Sequence, residues 1–357
     1  MPRPPVTPSA QIEALATATP DHDVHQAFIN WASPRISDTR TRKLFERMVE
    51  RSGIEHRWSV LPPTETGGSP VDAGGFYDAL PLPPTSARMV AYARYAPQLA
   101  LAAIAKLDLD PTRITHLVVA SCTGFAAPGI DQIIARKLGL SPHVERTLIG
   151  FMGCYAGVTA LRAARHIVRS EPDSVVLLVS VELSTLHLDG QSAIEPLLAM
   201  LQFSDGAAAA IISSAPGPAT IGAGLSLAMP QSEELIRWDI GDHGFVMHLS
   251  GAVPRRIEAA LTNAECHAAL FPSGIPPHLA IHAGGRSILD AVEHALDLRP
   301  DALADSRATL RDFGNMSSAT ILFTIERLMR SKASDSGLAL AFGPGLAAEA
   351  VGLTFTP

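Results

Sequence analysis

The chain has 357 residues, of which 47% are apolar and 18% charged, and its formal net charge is −7 at pH 7. This length can bury a sizeable core, and the composition is typical of a folded globular protein. The acidic balance argues against nucleic acid as the main partner. The longest apolar runs fall far short of the roughly 20 residues that span a bilayer, so no membrane partner is predicted.

The three cysteines indicate whether the protein occupies an oxidising or a reducing compartment and whether it has a zinc site. Cys122, Cys154 and Cys266 cannot all pair within one chain, and no zinc-type spacing links them. The proline-rich N-terminal region has no apolar run of the signal-peptide kind. The sequence therefore predicts a reduced, cytoplasmic protein without a bound metal.

Strand and helix patterns alternate through the first part of the chain. A buried strand over 116–122 precedes a helix that ends near Gly139, and a further strand leads to Cys154. Helical spacing follows Cys154, and buried strands are predicted over 174–184 and 205–215. Before them, residues 62–81 read as a loop.

The alternation resumes after a Pro/Gly-rich break near 215–225. A strand over 278–285 enters a glycine loop and then a helix. A helix–loop–helix and two strands joined by a Gly-Pro-Gly turn complete the chain. Strands that alternate with crossover helices predict an α/β fold with mostly buried sheets, divided into parts at 1–215 and 216–357.

Cys154 is the first candidate for chemistry. A single cysteine is often an inert core residue, but Cys154 lies between glycines where a strand gives way to a helix. Backbone N–H groups and the helix dipole at such a junction favour a thiolate. By contrast, Cys122 is followed by a Gly/Pro loop, and Cys266 lies within a helix. Cys154 is thus a candidate nucleophile.

A thiolate nucleophile needs a partner and donors for an oxyanion. His282 ends an apolar strand and precedes a glycine pair, the usual position of an α/β active-site residue, although a buried structural histidine is the alternative. Asn315 follows a glycine and precedes hydroxyl residues, where a helix cap is the alternative. Together with Cys154, these residues form a Cys/His/Asn trio.

The residues around the trio are similar to those of one known family. Five motifs occur in order and at the right spacing: GCYAG, FSDGAAAA, IHAGGRSILD, FGNMSSAT and AFGPGL. They closely resemble the type III polyketide synthases, the chalcone and stilbene synthase family. The similarity runs from about residue 42 to the C-terminus. It implies a thiolase-like αβαβα fold with two related halves, the first with the cysteine and the second with the histidine and asparagine, and a homodimer.

The resemblance also implies roles for individual residues. Cys154 matches the acyl-accepting nucleophile, and His282 and Asn315 match the pair that stabilises the oxyanion and promotes malonyl decarboxylation. Phe203 matches an aromatic gatekeeper, and Met247 stands where the plant enzymes have a second, phenylalanine gatekeeper. Further substrate-binding residues implied in this way are Cys122, Thr123, Ser184, His187, Trp238, Ser317, Gly343 and Gly345.

Two features concern coenzyme A and the dimer. Arg47 and Arg51 match two of the basic residues that meet the coenzyme A phosphates, while the third falls on Leu44; an exposed helix face is the alternative. Ala127 replaces a methionine in the loop that crosses the dimer interface of the plant enzymes. Segments 181–189 and 238–245 resemble the bacterial branch that makes alkylresorcinols or alkylpyrones.

The implied reaction is iterative. An acyl-CoA starter, such as a fatty acyl-CoA, loads Cys154; malonyl-CoA units are decarboxylated and condensed; and the chain cyclises to a pyrone or phenol. Acyl-CoA and malonyl-CoA are substrates, and no cofactor is predicted, since the chain offers no dinucleotide or P-loop motif. Three alternatives stay open: a ketoacyl synthase III-like enzyme performing one condensation, a cysteine hydrolase with a Cys/His/Asn triad, and a non-catalytic acyl-CoA-binding relative.

Overall fold

The structure is a computed structural model that describes residues 8–331 and 333–356. Its strands are β1 Ala10–Ala18, β2 His22–Asp23, β3 Trp58–Ser59, β4 His116–Ser121, β5 Glu145–Gly150, β6 Val176–Leu183, β7 Asp205–Ser213, β8 Ala219–Ala228, β9 Ile236–Gly241, β10 Gly244–Leu249, β11 His278–Ile281, β12 Asp335–Gly343 and β13 Ala347–Phe355. Its α-helices are α1 His25–Ala32, α2 Thr39–Arg51, α3 Thr85–Ile104, α4 Ile130–Leu138, α5 Ala156–Ser170, α6 Ile194–Met200, α7 Val253–Thr262, α8 Ala264–Leu270, α9 Arg286–Ala295, α10 Ala304–Phe313 and α11 Thr320–Arg330.

Nine strands form the main sheet, in the order β11-β12-β13-β8-β1-β7-β6-β4-β5. Strands β4, β5 and β6 pair in parallel, as do β11 and β12, and the remaining pairs are antiparallel. Strand β1 joins the two parts of the chain, because it pairs with β7 on one side and β8 on the other. The sheet thus brings elements from both parts to one site.

Helices α5 and α11 form the middle layer. Their apolar faces meet alternate residues of strands from both parts, with Val118 and Leu178 on one side and Ala339 and Ala341 on the other. Helices α3 and α4 cover the outer face of the first part, and α7 and α9 cover that of the second. This layering confirms the predicted thiolase-like αβαβα fold. Strands buried on both faces read as continuous apolar runs, which is why β4, β6 and β7 are recognisable in the sequence.

The predicted strands and helices are present with small shifts at their ends. Helix α4 ends at Leu138, and Gly139 follows in the left-handed conformation with φ 65°. The loop over 62–81 is confirmed. The prediction of a Pro/Gly-rich break near 215–225 is wrong in part, because residues 219–228 form strand β8. The boundary between residues 215 and 216 falls in the turn before β8 and stays a prediction. Among the described residues, no helix is long and apolar enough to cross a membrane.

Candidate active site

Cys154 lies in the short segment between β5 and α5. The chain turns sharply there, because Phe151 and Gly153 have φ values of 55° and 84°. A Cβ atom at Gly153 would lie 2.3 Å from Cδ of Pro344, so the turn requires glycine. Helix α5 begins two residues after the cysteine. The structure therefore places Cys154 at the strand-to-helix junction that the sequence predicts.

The Cys154 sulfur is half-buried and lies close to polar groups of the other part of the chain. The Ser317 Oγ is 3.7 Å from Cys154 Sγ and donates toward it. Burial raises the pKa of the Cys154 thiol to about 11, although hydrogen bonds from Ser317 and Asn315 act in the opposite direction. The thiol is therefore neutral near pH 7 in the free protein.

Asn315 is held by its backbone and its side chain. Its backbone N–H donates to the carbonyl of Gln202 at 2.8 Å, and its carbonyl accepts from the Ser204 N–H at 2.9 Å. The side-chain Nδ2 donates to the Gly284 carbonyl at 3.1 Å, while Oδ1 accepts from the Ser317 N–H at 2.9 Å. These bonds fix an amide that is only 4% exposed. The second Nδ2 hydrogen makes none of these bonds and can be donated to the Cys154 sulfur or to a substrate oxygen beside it.

His282 follows β11 directly and is 1% exposed. Neither of its ring nitrogens has a hydrogen-bond partner among the described residues, and burial lowers the pKa of the ring to about 3. A Cβ atom at Gly284 would lie 3.4 Å from the His282 Nε2, so the ring and the Asn315 amide both flank Gly284. The pKa shifts favour a neutral imidazole at His282 and a neutral thiol at Cys154, rather than the thiolate predicted from the strand-to-helix junction.

A narrow cavity adjoins the Cys154 thiol. Most of the residues predicted to contact substrate line it, namely Cys122, Thr123, Cys154, Ser184, Phe203, Trp238, Met247 and Ser317. The other predicted residues, which are His187, His282, Asn315, Gly343 and Gly345, are not on its wall. Pro344, which lies between Gly343 and Gly345 in the turn, lines the cavity instead of the two glycines.

Aromatic residues form one side of this cavity. Trp238 and Met247 are paired across the β9–β10 hairpin, and the Trp238 Nε1 donates to the Cys122 carbonyl at 3.0 Å. His187 lies behind them: its Nε2 is 2.7 Å from the Thr123 carbonyl, and its Nδ1 accepts from the Phe245 N–H at 3.0 Å. His187 is thus a neutral residue that positions the hairpin, and burial lowers its pKa to about 3.

Glu182 is a buried residue of this region that the sequence reasoning missed. Its carboxylate accepts from the Cys122 N–H at 2.9 Å, from the Thr123 Oγ1 at 2.8 Å and from the Ser318 hydroxyl. Burial raises its pKa. An acidic residue within the apolar run of β6 was the signal available in the sequence. Glu182 holds the end of β4 in place beside Cys154.

A larger cleft, with about 1240 Å³ of empty space, opens on the face of α2. Arg51 lines it with Leu44 and Met48, whereas Arg47 is exposed and is not on its wall. The sequence reasoning missed Arg286, whose Nη1 donates to the Arg51 carbonyl at 3.2 Å. The cleft therefore holds two guanidinium groups.

The comparisons with known proteins agree with this arrangement. The model of the chalcone and stilbene synthase N-terminal domain matches residues 6–216, and that of the C-terminal domain matches residues 223–356. The chain belongs to the chalcone and stilbene synthase family. It is accordingly an acyltransferase of the type III polyketide synthase class.

Solved structures of this class are similar over the whole chain. PKS-I from the brown alga Ectocarpus siliculosus is 26% identical with a TM-score of 0.87, over 99% of this chain and 100% of that one. The C-terminal type III polyketide synthase domain of Steely1 from Dictyostelium is 26% identical with a TM-score of 0.86, over 98% and 100%. CsyB complexed with CoA-SH is 25% identical with a TM-score of 0.83, over 98% and 100%.

Family membership has two consequences. Enzymes of this family use acyl-CoA and malonyl-CoA and need no cofactor beyond these substrates. The cysteine hydrolase alternative is not supported, because the matched family performs acyl transfer.

Proposed function

We propose that the chain performs iterative decarboxylative condensation of malonyl-CoA onto an acyl group held on Cys154, followed by cyclisation to an alkylpyrone or a phenolic, resorcinol-type product. One observation carries the proposal. The Cys154 sulfur lies at a strand-to-helix junction within reach of Ser317 and Asn315, the Asn315 amide donates to the Gly284 carbonyl, and the His282 ring, which flanks Gly284, has no partner for either ring nitrogen among the described residues. The masses of the products formed from labelled malonyl-CoA test it.

Loading of the starter requires loss of the thiol proton. Because burial disfavours charge on Cys154 and on His282 alike, we propose that the proton moves from Sγ to the imidazole as the sulfur attacks the thioester. The new C–S bond replaces the bond to coenzyme A, which leaves as the thiol after it takes the proton back from His282. His282 is then neutral again, and Cys154 carries the acyl group as a thioester.

Decarboxylation of the malonyl unit needs hydrogen-bond donors to the thioester oxygen rather than a base. Loss of CO₂ leaves an electron pair that is stabilised as a thioester enolate, and the free Nδ2 hydrogen of Asn315 and a ring N–H of neutral His282 are suited to bind its oxygen. The enolate carbon then attacks the carbonyl of the acyl-cysteine, and Cys154 leaves as a thiolate that takes up one proton. The chain, longer by two carbons, is now a thioester of coenzyme A, and it is loaded onto Cys154 again for the next round.

The substrate-binding roles are proposals of the same kind. Phe203 and Met247 adjoin Trp238 on the cavity wall, where their side chains would shape the space beside the acyl-cysteine. Cys122, Thr123, Ser184 and Ser317 line the same space. Gly343 and Gly345 allow Pro344 to contact it: a Cβ at Gly343 would lie 2.5 Å from the Tyr155 ring, and Gly345 has φ 73°.

We propose that the cleft beside α2 binds the coenzyme A phosphates through Arg51 and Arg286. Leu44 leaves a gap in the basic residues of α2, and the guanidinium of Arg286 enters the same cleft from the start of α9. Gln202, which also lines the cleft, precedes Phe203 and accepts the Asn315 N–H. The cleft thus leads to the catalytic residues. Arg47 is the weaker candidate, since it is not on the wall.

Replacement of Arg286 by alanine is expected to raise the KM for malonyl-CoA by about 3- to 10-fold and to change kcat little. The reason is that a charge-assisted contact to an exposed phosphate contributes modest binding energy and does not touch the reacting atoms. Steady-state kinetics at low salt measure the effect. Arg299→Ala, at an exposed arginine outside the cleft, is the matched control. An unchanged KM in Arg286→Ala would contradict this assignment.

We also propose that two copies of the chain form a homodimer, and that each chain consists of two related halves. Strand β5 is an edge of the main sheet with most of its residues exposed, and Leu148 on it and Phe125 nearby are each 49% exposed. An open strand edge beside exposed apolar side chains is usually covered, and a second copy would cover it. Light scattering should give twice the chain mass; a monomer would contradict the proposal. The three free thiols are consistent with the predicted cytoplasmic location.

A further inference from the structure

One histidine and two glutamates meet at the end of α5 that is remote from Cys154. His116 is the first residue of β4, Glu145 is the first residue of β5, and Glu171 caps the C-terminal end of α5. The His116 Nε2 lies 3.7 Å from a carboxylate oxygen of Glu145 and 3.8 Å from one of Glu171. All three ligand atoms lie within 4.8 Å of one another. Three separate elements thus bring their side chains to one point.

The parallel pairing of β4 with β5 explains this arrangement. His116 and Glu145 are direct partners in the register of the two strands. Val118 and Ala120 of β4 pack on the face that α5 covers, and His116 continues their two-residue period. The His116 side chain therefore lies on the same face of the sheet as α5, where the end of that helix supplies Glu171.

The His116 ring is buried, with its side chain 9% exposed, and its Nδ1 is satisfied by protein. The Nδ1 lies 2.9 Å from the Thr115 Oγ1. This hydroxyl donates its one hydrogen to the Val175 carbonyl at 3.2 Å and accepts the Val175 N–H at 2.9 Å. It can therefore accept a hydrogen from Nδ1 but has none to give. The hydrogen of the neutral ring accordingly lies on Nδ1, and Nε2 presents a lone pair to the two carboxylates.

A lone pair beside two carboxylates is an arrangement that a cation stabilises. Neither Glu145 nor Glu171 forms a salt bridge with a lysine or an arginine among the described residues. A proton on the His116 Nε2 would be too far from both oxygens for a hydrogen bond. Zn²⁺ bonds of about 2.0–2.1 Å hold ligand atoms about 3.3 Å apart. The glutamate side chains are 72% and 60% exposed, so small rotations bring their oxygens to that spacing.

We propose that His116, Glu145 and Glu171 bind one Zn²⁺ ion, which fastens the end of α5 to the first residues of β4 and β5. An imidazole nitrogen suits Zn²⁺, whereas Mg²⁺ and Ca²⁺ prefer oxygen ligands alone, and water completes the coordination. The cysteine spacing, which predicts no metal, does not report on ligands of this kind. The 15 residues of α5 span about 22 Å, so the ion acts on the stability of the fold and not on the chemistry at Cys154.

The first test is Zn²⁺ binding to purified full-length protein that has been treated with a chelator and dialysed. Titration calorimetry is expected to give one Zn²⁺ per chain at this site, and saturating Zn²⁺ should raise the midpoint of thermal unfolding by about 2–5 °C. Mg²⁺ at the same concentration should do neither. Absence of Zn²⁺ binding, or an equal effect of Mg²⁺, would overturn the proposal.

Co²⁺ in place of Zn²⁺ separates this site from the three free thiols, which also attract such ions. One histidine and two carboxylates give no sulfur-to-cobalt charge-transfer band, whereas binding at Cys122, Cys154 or Cys266 gives one. The first equivalent of Co²⁺ is expected to bind without this band. A band that accounts for all of the bound Co²⁺ would overturn the assignment.

Variants of the ligands test the site itself. Glu145→Gln and Glu171→Gln each remove one charged ligand at an exposed position and are expected to weaken Zn²⁺ binding by about tenfold or more. His116→Ala should weaken it by about 100-fold or more. His294→Ala is the matched control, because that exposed histidine faces Glu258 alone at 3.3 Å, and it should leave the affinity unchanged. Unchanged affinity in both glutamate variants would overturn the proposal, even where His116→Ala fails to fold.

Discussion

Replacement of Cys154 by alanine is expected to abolish the acyl-enzyme and to reduce product formation by roughly 10⁶-fold, the order seen when a covalent nucleophile is removed. The acyl group has no other acceptor in the proposed site, because the neighbouring hydroxyl of Ser317 donates toward the sulfur and the Cys122 thiol is buried against the backbone of Gly153. Intact-mass spectrometry after incubation with an acyl-CoA measures the adduct directly.

The same variant separates loading from decarboxylation. Because the proposed enolate donors are His282 and Asn315, Cys154→Ala should still release CO₂ from malonyl-CoA. Cys266→Ala is the matched control: it removes a half-buried thiol on α8 and should keep both the adduct and the product. An adduct that persists in Cys154→Ala and disappears in Cys266→Ala would overturn the assignment of the nucleophile. Absence of any adduct in the unmodified protein would favour the non-catalytic acyl-CoA-binding alternative.

Replacement of Asn315 or His282 by alanine is expected to lower the rate of malonyl-CoA decarboxylation by about 10²–10³-fold in each case. Each substitution removes one preorganised donor from a buried place, where such a donor stabilises developing negative charge most strongly. The double variant should lose less than the product of the two single effects, since the two donors act on one oxygen. Release of CO₂ from malonyl-CoA alone measures the rate.

Folding controls matter most for Asn315, whose amide also bonds to Gly284 and Ser317. Asn315→Asp keeps an acceptor for the Ser317 N–H but loses the Nδ2 donor, so it should also be slow. Because its buried carboxyl oxygen then faces the Gly284 carbonyl, its thermal unfolding temperature should fall, and its rate is measured below that temperature. Asn30→Ala, at an exposed amide on α1, should change neither property. A decarboxylation rate within threefold of the unmodified rate in Asn315→Ala and His282→Ala would exclude both as oxyanion donors.

The sequence was informative where local patterns report burial or backbone shape. The apolar runs of β4, β6 and β7 predict strands covered on both faces, and the glycine beside Cys154 indicates a turn that a side chain would block. The five motifs indicate the family, because all five occur in one chain, in the family's order and at its spacing. The family models support this part of the prediction.

The sequence was less informative where contacts between distant residues decide the outcome. Strand β8 was expected to be a break, since its glycines weaken the strand pattern, but Gly222 lies so close to the Gly352 carbonyl of β13 that a Cβ would approach it to 3.2 Å. Arg286 and Arg51 are 235 positions apart, yet they meet at one cleft.

The central claim is iterative extension on a cysteine, and the most direct test is the mass of the products formed from [¹³C₃]malonyl-CoA and a panel of acyl-CoA starters. The account predicts products that have gained two or more labelled two-carbon units, each after loss of one labelled CO₂, and none of these products with Cys154→Ala. Products with a single added unit from every starter would contradict the iterative reading and support the ketoacyl synthase III-like alternative.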